Sequence, residues 1–166
     1  MNKQTLTALL VIAVLLALLI AWAIRQMGRG WAHRAARQAG IIGNLPQLPD
    51  TVSDAIIPAS TGLYVGSTVA PNWQDRIALS ELGFRSKAVL ARYPEGIMLR
   101  RTGGDPIWIP QESIIAIRAD RALAGKVLTH DGILVIRWRL PSGTEIDTGF
   151  RSDDRRDIAP WVEEDK

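Results

Sequence analysis

The chain has 166 residues and no cysteine, which excludes disulfide bonds and thiolate metal sites. Its net charge of +3 is unevenly divided, because residues 1–49 carry five basic and no acidic side chains (+5), whereas residues 50–166 carry 15 basic and 17 acidic ones (−2). The C-terminal part therefore has no net positive charge with which to hold a nucleic acid, and no nucleic-acid partner is expected.

The N-terminal segment is apolar enough to cross a membrane. After a short tail of residues 1–5, residues 6–24 contain no charge, proline or glycine. A helix of that length roughly spans the ~30 Å hydrocarbon core of a bilayer. The sequence Ala21-Trp22-Ala23 fits a signal-peptide cleavage site. Cleavable signals, however, usually have an apolar core of only about 7–15 residues. The length favours an uncleaved transmembrane helix.

Basic residues on one side of the span set its predicted orientation. Only Lys3 precedes the span, whereas four arginines follow it closely. Positively charged flanks stay on the cytoplasmic side of a membrane. The sequence therefore predicts a single-pass protein of the cell membrane, with its N-terminus outside and its C-terminal domain in the cytoplasm. The side chains expected at the membrane interface are Trp22, Arg25, Arg29, Trp31, Arg34 and Arg37.

Residues 25–40 predict a basic juxtamembrane helix, whose arginines either only fix the orientation or also contact anionic lipid headgroups. Within the span, Ala13, Ala17 and Ala21 recur every four residues. Such a stripe of small residues lets two helices pack closely, so a homo-oligomer through these alanines is one hypothesis. The span has no ionisable residue, and we therefore do not expect this chain to transport a solute by itself.

The prolines of residues 41–61 predict an extended linker that docks partly on the domain through its apolar residues. From residue 62 onward the pattern is mostly strand-like, with short runs rich in isoleucine and valine between turn sequences. A short helical turn is expected at residues 75–82. The predicted strands are residues 63–69, 87–93, 97–101, 106–109, 114–118, 133–140 and 145–150.

Residues 152–166 predict a C-terminal helix. Ser152 is the expected N-cap, and the apolar stripe consists of Ile158, Trp161 and Val162. Because Pro160 lies inside this segment, the helix is expected to start late or to kink.

The hairpin of residues 133–150 has a register that can be derived from its turn. If Leu140 pairs with Thr144, then Arg139 faces Glu145 and Arg137 faces Asp147. Alternation places these charged pairs on one face, which we expect to be exposed. The opposite face is then apolar and consists of Leu134, Ile136, Trp138, Leu140, Ile146 and Phe150.

About seven short antiparallel strands followed by a C-terminal helix are typical of a pleckstrin-homology (PH)-like barrel. Residues 133–140 ("ILVIRWRL") and 147–157 ("DTGFRSDDRRD") resemble a family of actinobacterial single-span membrane proteins with a bacterial PH-like domain. The resemblance covers nearly the whole chain, which implies that residues 62–166 are the PH-like domain. Members of that family often carry the label transporter or export protein, which establishes no activity.

The resemblance also implies where a phosphoinositide would bind, because PH domains of that kind carry a basic cluster around the first hairpin. Here the connection after the first strand holds only Arg76, Arg85 and Lys87, opposed by Asp75 and Glu81. This departure from the pattern means that a lipid site of the family type is not expected, and membrane contact is assigned to residues 6–37.

No catalytic, metal or cofactor site emerges from the remaining polar residues. His130 and Asp131 lie at a hairpin turn, where Asp-Gly is ordinary turn chemistry, and His33 lies in the basic stretch. The aspartates at 153, 154 and 157 lack the spacing of a calcium loop. Residues 100–106 ("RRTGGDP") lack the Gly-Lys-Ser/Thr ending of a phosphate loop and predict a hairpin turn.

The leading hypothesis is a membrane-tethered, non-enzymatic interaction or scaffold module that binds a protein partner at the cytoplasmic face. Trp108 is the candidate partner-binding residue if its indole faces outward, although it is equally compatible with packing under the linker. Two alternatives stay open, namely a lipid- or headgroup-sensing domain and an accessory subunit of a transport or envelope assembly.

Overall fold

The computed structural model describes residues 2–77, 82–128 and 132–163, without the side chains of residues 3, 5, 6, 8, 28–38 and 163. The chain divides into two compact units, residues 1–37 and 38–166. Its helices are α1 (Lys3–Ile42) and α2 (Ala159–Glu163). Its strands are β1 (Ile57–Val69), β2 (Ser86–Tyr93), β3 (Gly96–Arg101), β4 (Ile107–Pro110), β5 (Ile114–Asp120), β6 (Ala122–Leu123), β7 (Lys126–Val127), β8 (Ile133–Arg139) and β9 (Glu145–Ser152).

Helix α1 contains a candidate membrane span. The window Leu9–Met27 has 19 residues and a mean hydropathy of 2.4, so it is long and apolar enough to cross a bilayer. None of this window is buried against other described parts of the chain. The helix continues without interruption through the basic segment as far as Ile42.

The second unit is built on a seven-stranded antiparallel sheet in the order β4-β3-β2-β1-β9-β8-β5. A 3₁₀ turn, Gln111–Ser113, connects the two edge strands β4 and β5, and α2 packs against β5. The predicted fold class is confirmed: an N-terminal apolar helix is followed by seven antiparallel strands and a C-terminal helix.

One hydrophobic core receives a side chain from every strand of this sheet, because alternate residues of each strand point inward. Trp138 and Trp161 are 0% and 1% exposed and are among its largest members. The inward-facing set includes Ile57, Leu90, Ile97, Ile107, Ile117, Trp138, Phe150 and, from α2, Trp161.

A directional chain of hydrogen bonds crosses this core. Trp138 Nε1 donates to Thr148 Oγ1 and Tyr64 Oη donates to the Leu82 carbonyl, each at 2.9 Å. Because both ends are fixed, the Thr148 hydroxyl donates to Ser67 Oγ and the Ser67 hydroxyl donates to Tyr64 Oη. Burial raises the pKa of Tyr64 to about 12, so its phenol remains a donor at neutral pH.

The β8–β9 hairpin has the predicted register. Arg139 pairs with Glu145, Trp138 with Ile146 and so on along the strands, and Leu140 N donates to Thr144 O at 2.9 Å. The six apolar residues predicted for one face all belong to the core.

Three local features differ from the sequence-based expectations. Strand β1 begins at Ile57, inside the predicted linker, so the segment without secondary structure is residues 43–56. Strands β6 and β7 form a separate hairpin that was not predicted, because two-residue strands carry no visible alternation. Arg76 forms a β-bridge with Thr68 rather than a helical turn, and residues 78–81 of that expectation lie outside the described residues.

The C-terminal helix starts late, as Pro160 suggested, but its cap is not Ser152. A 3₁₀ turn, Arg155–Ile158, precedes α2, and its cap is Asp154, whose side chain accepts from Arg156 N. Ser152 ends β9, so its hydroxyl instead accepts from Asp154 N and donates to Asp157. The predicted apolar stripe packs on the core.

The last turn of α1 belongs to the folded unit of residues 38–166. Ile42 is 1% exposed in the core, and the Ile41 carbonyl accepts from Ser142 Oγ and Thr144 Oγ1 at 2.7 Å each. Gly43 ends the helix with a positive φ of 64°, and its N–H donates to the Ala39 carbonyl.

Ile42→Ala should therefore lower the free energy of unfolding by about 2–4 kcal/mol, because it leaves a cavity in the core. Ile41→Ala is the matched control, since Ile41 is 49% exposed and its loss should cost less than about 1 kcal/mol. Urea unfolding of the full chain in a non-ionic detergent, followed by tryptophan fluorescence, measures both. Equal effects of the two substitutions would contradict the docking of Ile42.

Candidate functional site

A groove of about 470 Å³ lies on the outer face of the sheet, across β3, β2, β1 and β9. We call it the basic groove, because three of its side chains are cationic and only one is anionic. Its lining consists of Thr61, Gly62, Leu63, Lys87, Ala88, Val89, Arg100, Thr102, Arg151 and Asp153.

Strand register brings the three cations together from distant parts of the sequence. Leu63 pairs with Lys87 on one side and with Arg151 on the other. Adjacent strands lie about 4.8 Å apart, so the Cα atoms of Lys87 and Arg151 are separated by roughly 10 Å. Arg100 pairs with Val89, which places it diagonally to Lys87 at about 7–8 Å.

The cations of the basic groove have no partner within the described residues. Neither Lys87, Arg100 nor Arg151 makes a salt bridge or a side-chain hydrogen bond there, even though Asp153 lines the same groove. Elsewhere on the sheet surface, arginines are paired, as Arg139 is with Glu145 at 2.8 Å. Within the described residues, the groove therefore has three cations against one anion, and no ion pair neutralises them.

Asp147 shows the opposite arrangement and corrects the expected exposed charged face. Its side chain is 1% exposed, and Arg137 holds it with two hydrogen bonds of 2.8 Å while Arg118 adds a third of 2.9 Å. Burial is the largest single influence and would raise the pKa of Asp147. The hydrogen bonds from Arg137 and Arg118 together outweigh it and hold the pKa below its usual value of 3.8.

The outer face beside this ion cluster is covered by the β6–β7 hairpin. Leu123 and Ala124 from the hairpin pack with Val65, Ile133 and Val135 in a second small apolar cluster. The hairpin therefore covers the outward-facing side chains of Val65 on β1 and of Ile133 and Val135 on β8, which are not accessible to a partner.

Trp108 is buried, so of its two sequence-based interpretations the exposed indole is not found. Ile107 and Ile109 point into the core, so Trp108 lies on the other face, yet it is only 6% exposed. It pairs with Met98, and a Cβ on Gly96 would come within 2.8 Å of its ring. The glycine lets the indole lie against the sheet, where it offers no surface to a partner.

The residues predicted for the membrane interface all lie on α1. Trp22 is 60% exposed and Arg25 is also exposed, whereas the side chains of Arg29, Trp31, Arg34 and Arg37 lie outside the described ones, as does that of His33. Ala13, Ala17 and Ala21 are exposed on the same helix. Their roles in membrane contact and in self-association stay predictions.

The other polar motifs have ordinary structural roles where they are described. Residues 102–105 form the turn between β3 and β4, as predicted, and Arg101 of that motif donates to the Asp105 carbonyl. Among the described residues, no group of three or more His, Asp or Glu side chains is placed to hold a metal ion. His130 and Asp131 lie outside the described residues.

The sequence alone did not reveal the basic groove. Lys87 lies at the end of the connection between the first two strands, and Arg151 lies in the family motif 64 positions further along the chain. The only available signal was the alternation of β2, β3 and β9, which places these cations on the outer face once the strand order is known.

The fold and its surfaces are those of a PH-like interaction domain. The sequence of residues 42–166, which is more than half of the chain, matches the family described as bacterial PH domain-like, and the chain belongs to that family. PH-like domains are generally non-catalytic modules that commonly bind lipids or proteins. No curated protein matches this sequence with significant similarity.

Asp147→Asn should lower the free energy of unfolding by about 1–3 kcal/mol at pH 7, because two arginines lose a charged hydrogen-bond acceptor. The lowered pKa means that this stabilisation is complete above about pH 4 and is lost as the pH falls through the folded-state pKa. Urea unfolding at pH 7 and in steps down to pH 2 measures the difference in free energy of unfolding between wild type and variant.

Glu145→Gln is the matched control, because its ion pair with Arg139 is exposed and should be worth less than about 1 kcal/mol. A wild-type advantage over Asp147→Asn that persists unchanged at pH 2, or is absent at pH 7, would contradict the assignment.

Proposed function

We propose that this protein is a membrane-tethered, non-enzymatic interaction module whose PH-like domain faces the cytoplasm. One observation carries the proposal: the chain joins a candidate span, Leu9–Met27, to a domain of the bacterial PH-like family. Tethering confines the domain to a thin layer beside the membrane, which raises its effective concentration toward any partner held there without catalysis.

The charge distribution supports the cytoplasmic orientation. Arg25 lies at the end of the candidate span and Arg29, Arg34 and Arg37 follow it, whereas Lys3 is the single cation before it. Short basic flanks are retained on the cytoplasmic side, while charges in a distant folded domain contribute little to orientation.

Fusions after Lys166 test the orientation. A fluorescent protein that matures only in the cytoplasm should be active, whereas an alkaline phosphatase that is active only outside should be inactive, and both fusions should resist carbonate extraction from membranes. Replacing the arginines at 25, 29, 34 and 37 by glutamine should invert part of the population, because the flanking charge difference is removed.

The matched control replaces Arg85, Arg121, Lys126 and Arg155 by glutamine, which removes the same charge from the domain and should leave the orientation unchanged. Phosphatase activity of the unaltered fusion, or release of the protein by carbonate, would refute the proposal.

A further inference from the structure

The basic groove gathers three cationic side chains on the outer face of the sheet. Lys87 and Arg100 lie diagonally on neighbouring strands, Arg151 lies two strands from Lys87, and none of the three forms an ion pair within the described residues, although Asp153 also lines the groove. This unpaired charge is the feature that a ligand of opposite charge would recognise.

The floor of the groove is apolar, which restricts the chemistry of that ligand. Leu63 lies between Lys87 and Arg151, and Val89, which is 36% exposed, lies opposite Arg100. A small free oxyanion would leave these apolar side chains in contact with water. A ligand that presents anionic and apolar groups on the same face satisfies both parts of the surface.

The spacing of the cations matches an extended polypeptide. Side chains on one side of an extended strand recur about every 6.7 Å, close to the diagonal separation of about 7–8 Å between Lys87 and Arg100. A chain that crosses the strands can therefore place two carboxylates of one face near Lys87 and Arg100, and the long side chain of Arg151, whose Cα lies roughly 10 Å from that of Lys87, can reach a third.

The charge balance argues against an anionic membrane surface as the occupant. Polybasic segments that hold anionic lipids usually have four to eight cations close together, whereas the groove has three. Residues 62–166 as a whole carry 15 basic and 15 acidic side chains, a net charge of zero, so no long-range attraction supplements the groove.

We infer that the basic groove, with Lys87, Arg100 and Arg151 around a floor of Leu63 and Val89, docks an acidic, extended segment of a partner protein. This inference rests on the proposed function and specifies the chemistry of its partner. The cations pair with carboxylates, and the floor receives apolar side chains on the same face of the segment.

The test uses the full chain in nanodiscs of neutral phosphatidylcholine and a fluorescein-labelled peptide that repeats Glu-Ser-Glu-Ser-Val-Ser, which places two glutamates and one valine in turn on one face of an extended strand. Anisotropy should rise on binding, and the affinity should fall with added salt. The same peptide with glutamine in place of every glutamate should not bind. Lys87→Gln/Arg100→Gln/Arg151→Gln should bind the glutamate peptide at least about tenfold more weakly, because three ion pairs are lost.

The matched control, Arg121→Gln/Lys126→Gln/Arg155→Gln, removes the same charge outside the groove and should bind within about twofold of wild type. A second variant, Val89→Glu, keeps all three cations but adds a negative charge to the floor and should also weaken binding. Tryptophan fluorescence during urea unfolding verifies that each variant is folded.

Two further probes identify other occupants, namely inorganic phosphate and nanodiscs that contain phosphatidylglycerol. The inference is overturned if the glutamate peptide does not bind, or if the groove variants bind it as wild type does. It is also overturned if phosphate or phosphatidylglycerol, but not the peptide, binds in a groove-dependent way. Because none of these measurements depends on orientation in the cell, failure of the groove is distinguishable from failure of the tethering proposal.

Discussion

The pairing of β8 with β9 is the constraint on which the rest of the domain depends, because it decides which side of the sheet each residue faces. The hydrogen bond from Trp138 to Thr148 lies inside the core, and the contact between Arg137 and Asp147 lies on the outer face. A slip of one residue would exchange the two faces, exposing an indole and burying arginines. Both interactions therefore favour the same register, and the hydrogen-bonded chain through Ser67 and Tyr64 extends it to β1.

The outer face of the sheet consists of three parts that differ in what covers them. The β6–β7 hairpin covers one part with apolar side chains, and Asp147 neutralises Arg118 and Arg137 in another. The remaining part, across β3, β2, β1 and β9, keeps three cations around an apolar floor. This last surface lies on the opposite side of the sheet from the hydrophobic core, so a partner that binds there leaves the packed inner face undisturbed.

The sequence predicts what depends on local alternation and turn chemistry. The β8–β9 register and the apolar stripe of α2 follow from spacing alone, and the structure confirms both. Burial on the outer face depends on which element covers it, and local patterns carry no such information. For that reason Asp147 was expected to be exposed and Trp108 was left open between an exposed and a packed indole, whereas in the structure Trp108 lies against Gly96 and Asp147 is enclosed by arginines from two other positions. The basic groove was not predicted from the sequence for a related reason, since its cations become neighbours only through the strand order.

Cysteine pairs test the register most directly, because the chain has no cysteine of its own. Arg139 and Glu145 face each other on the outer side of the hairpin, so Arg139→Cys/Glu145→Cys should form a disulfide on mild oxidation and keep native tryptophan fluorescence. Arg139→Cys/Ile146→Cys places the two thiols on opposite faces and should keep both of them free. Efficient cross-linking of the second pair, or none of the first, would show that the faces of the sheet are not those on which this account rests.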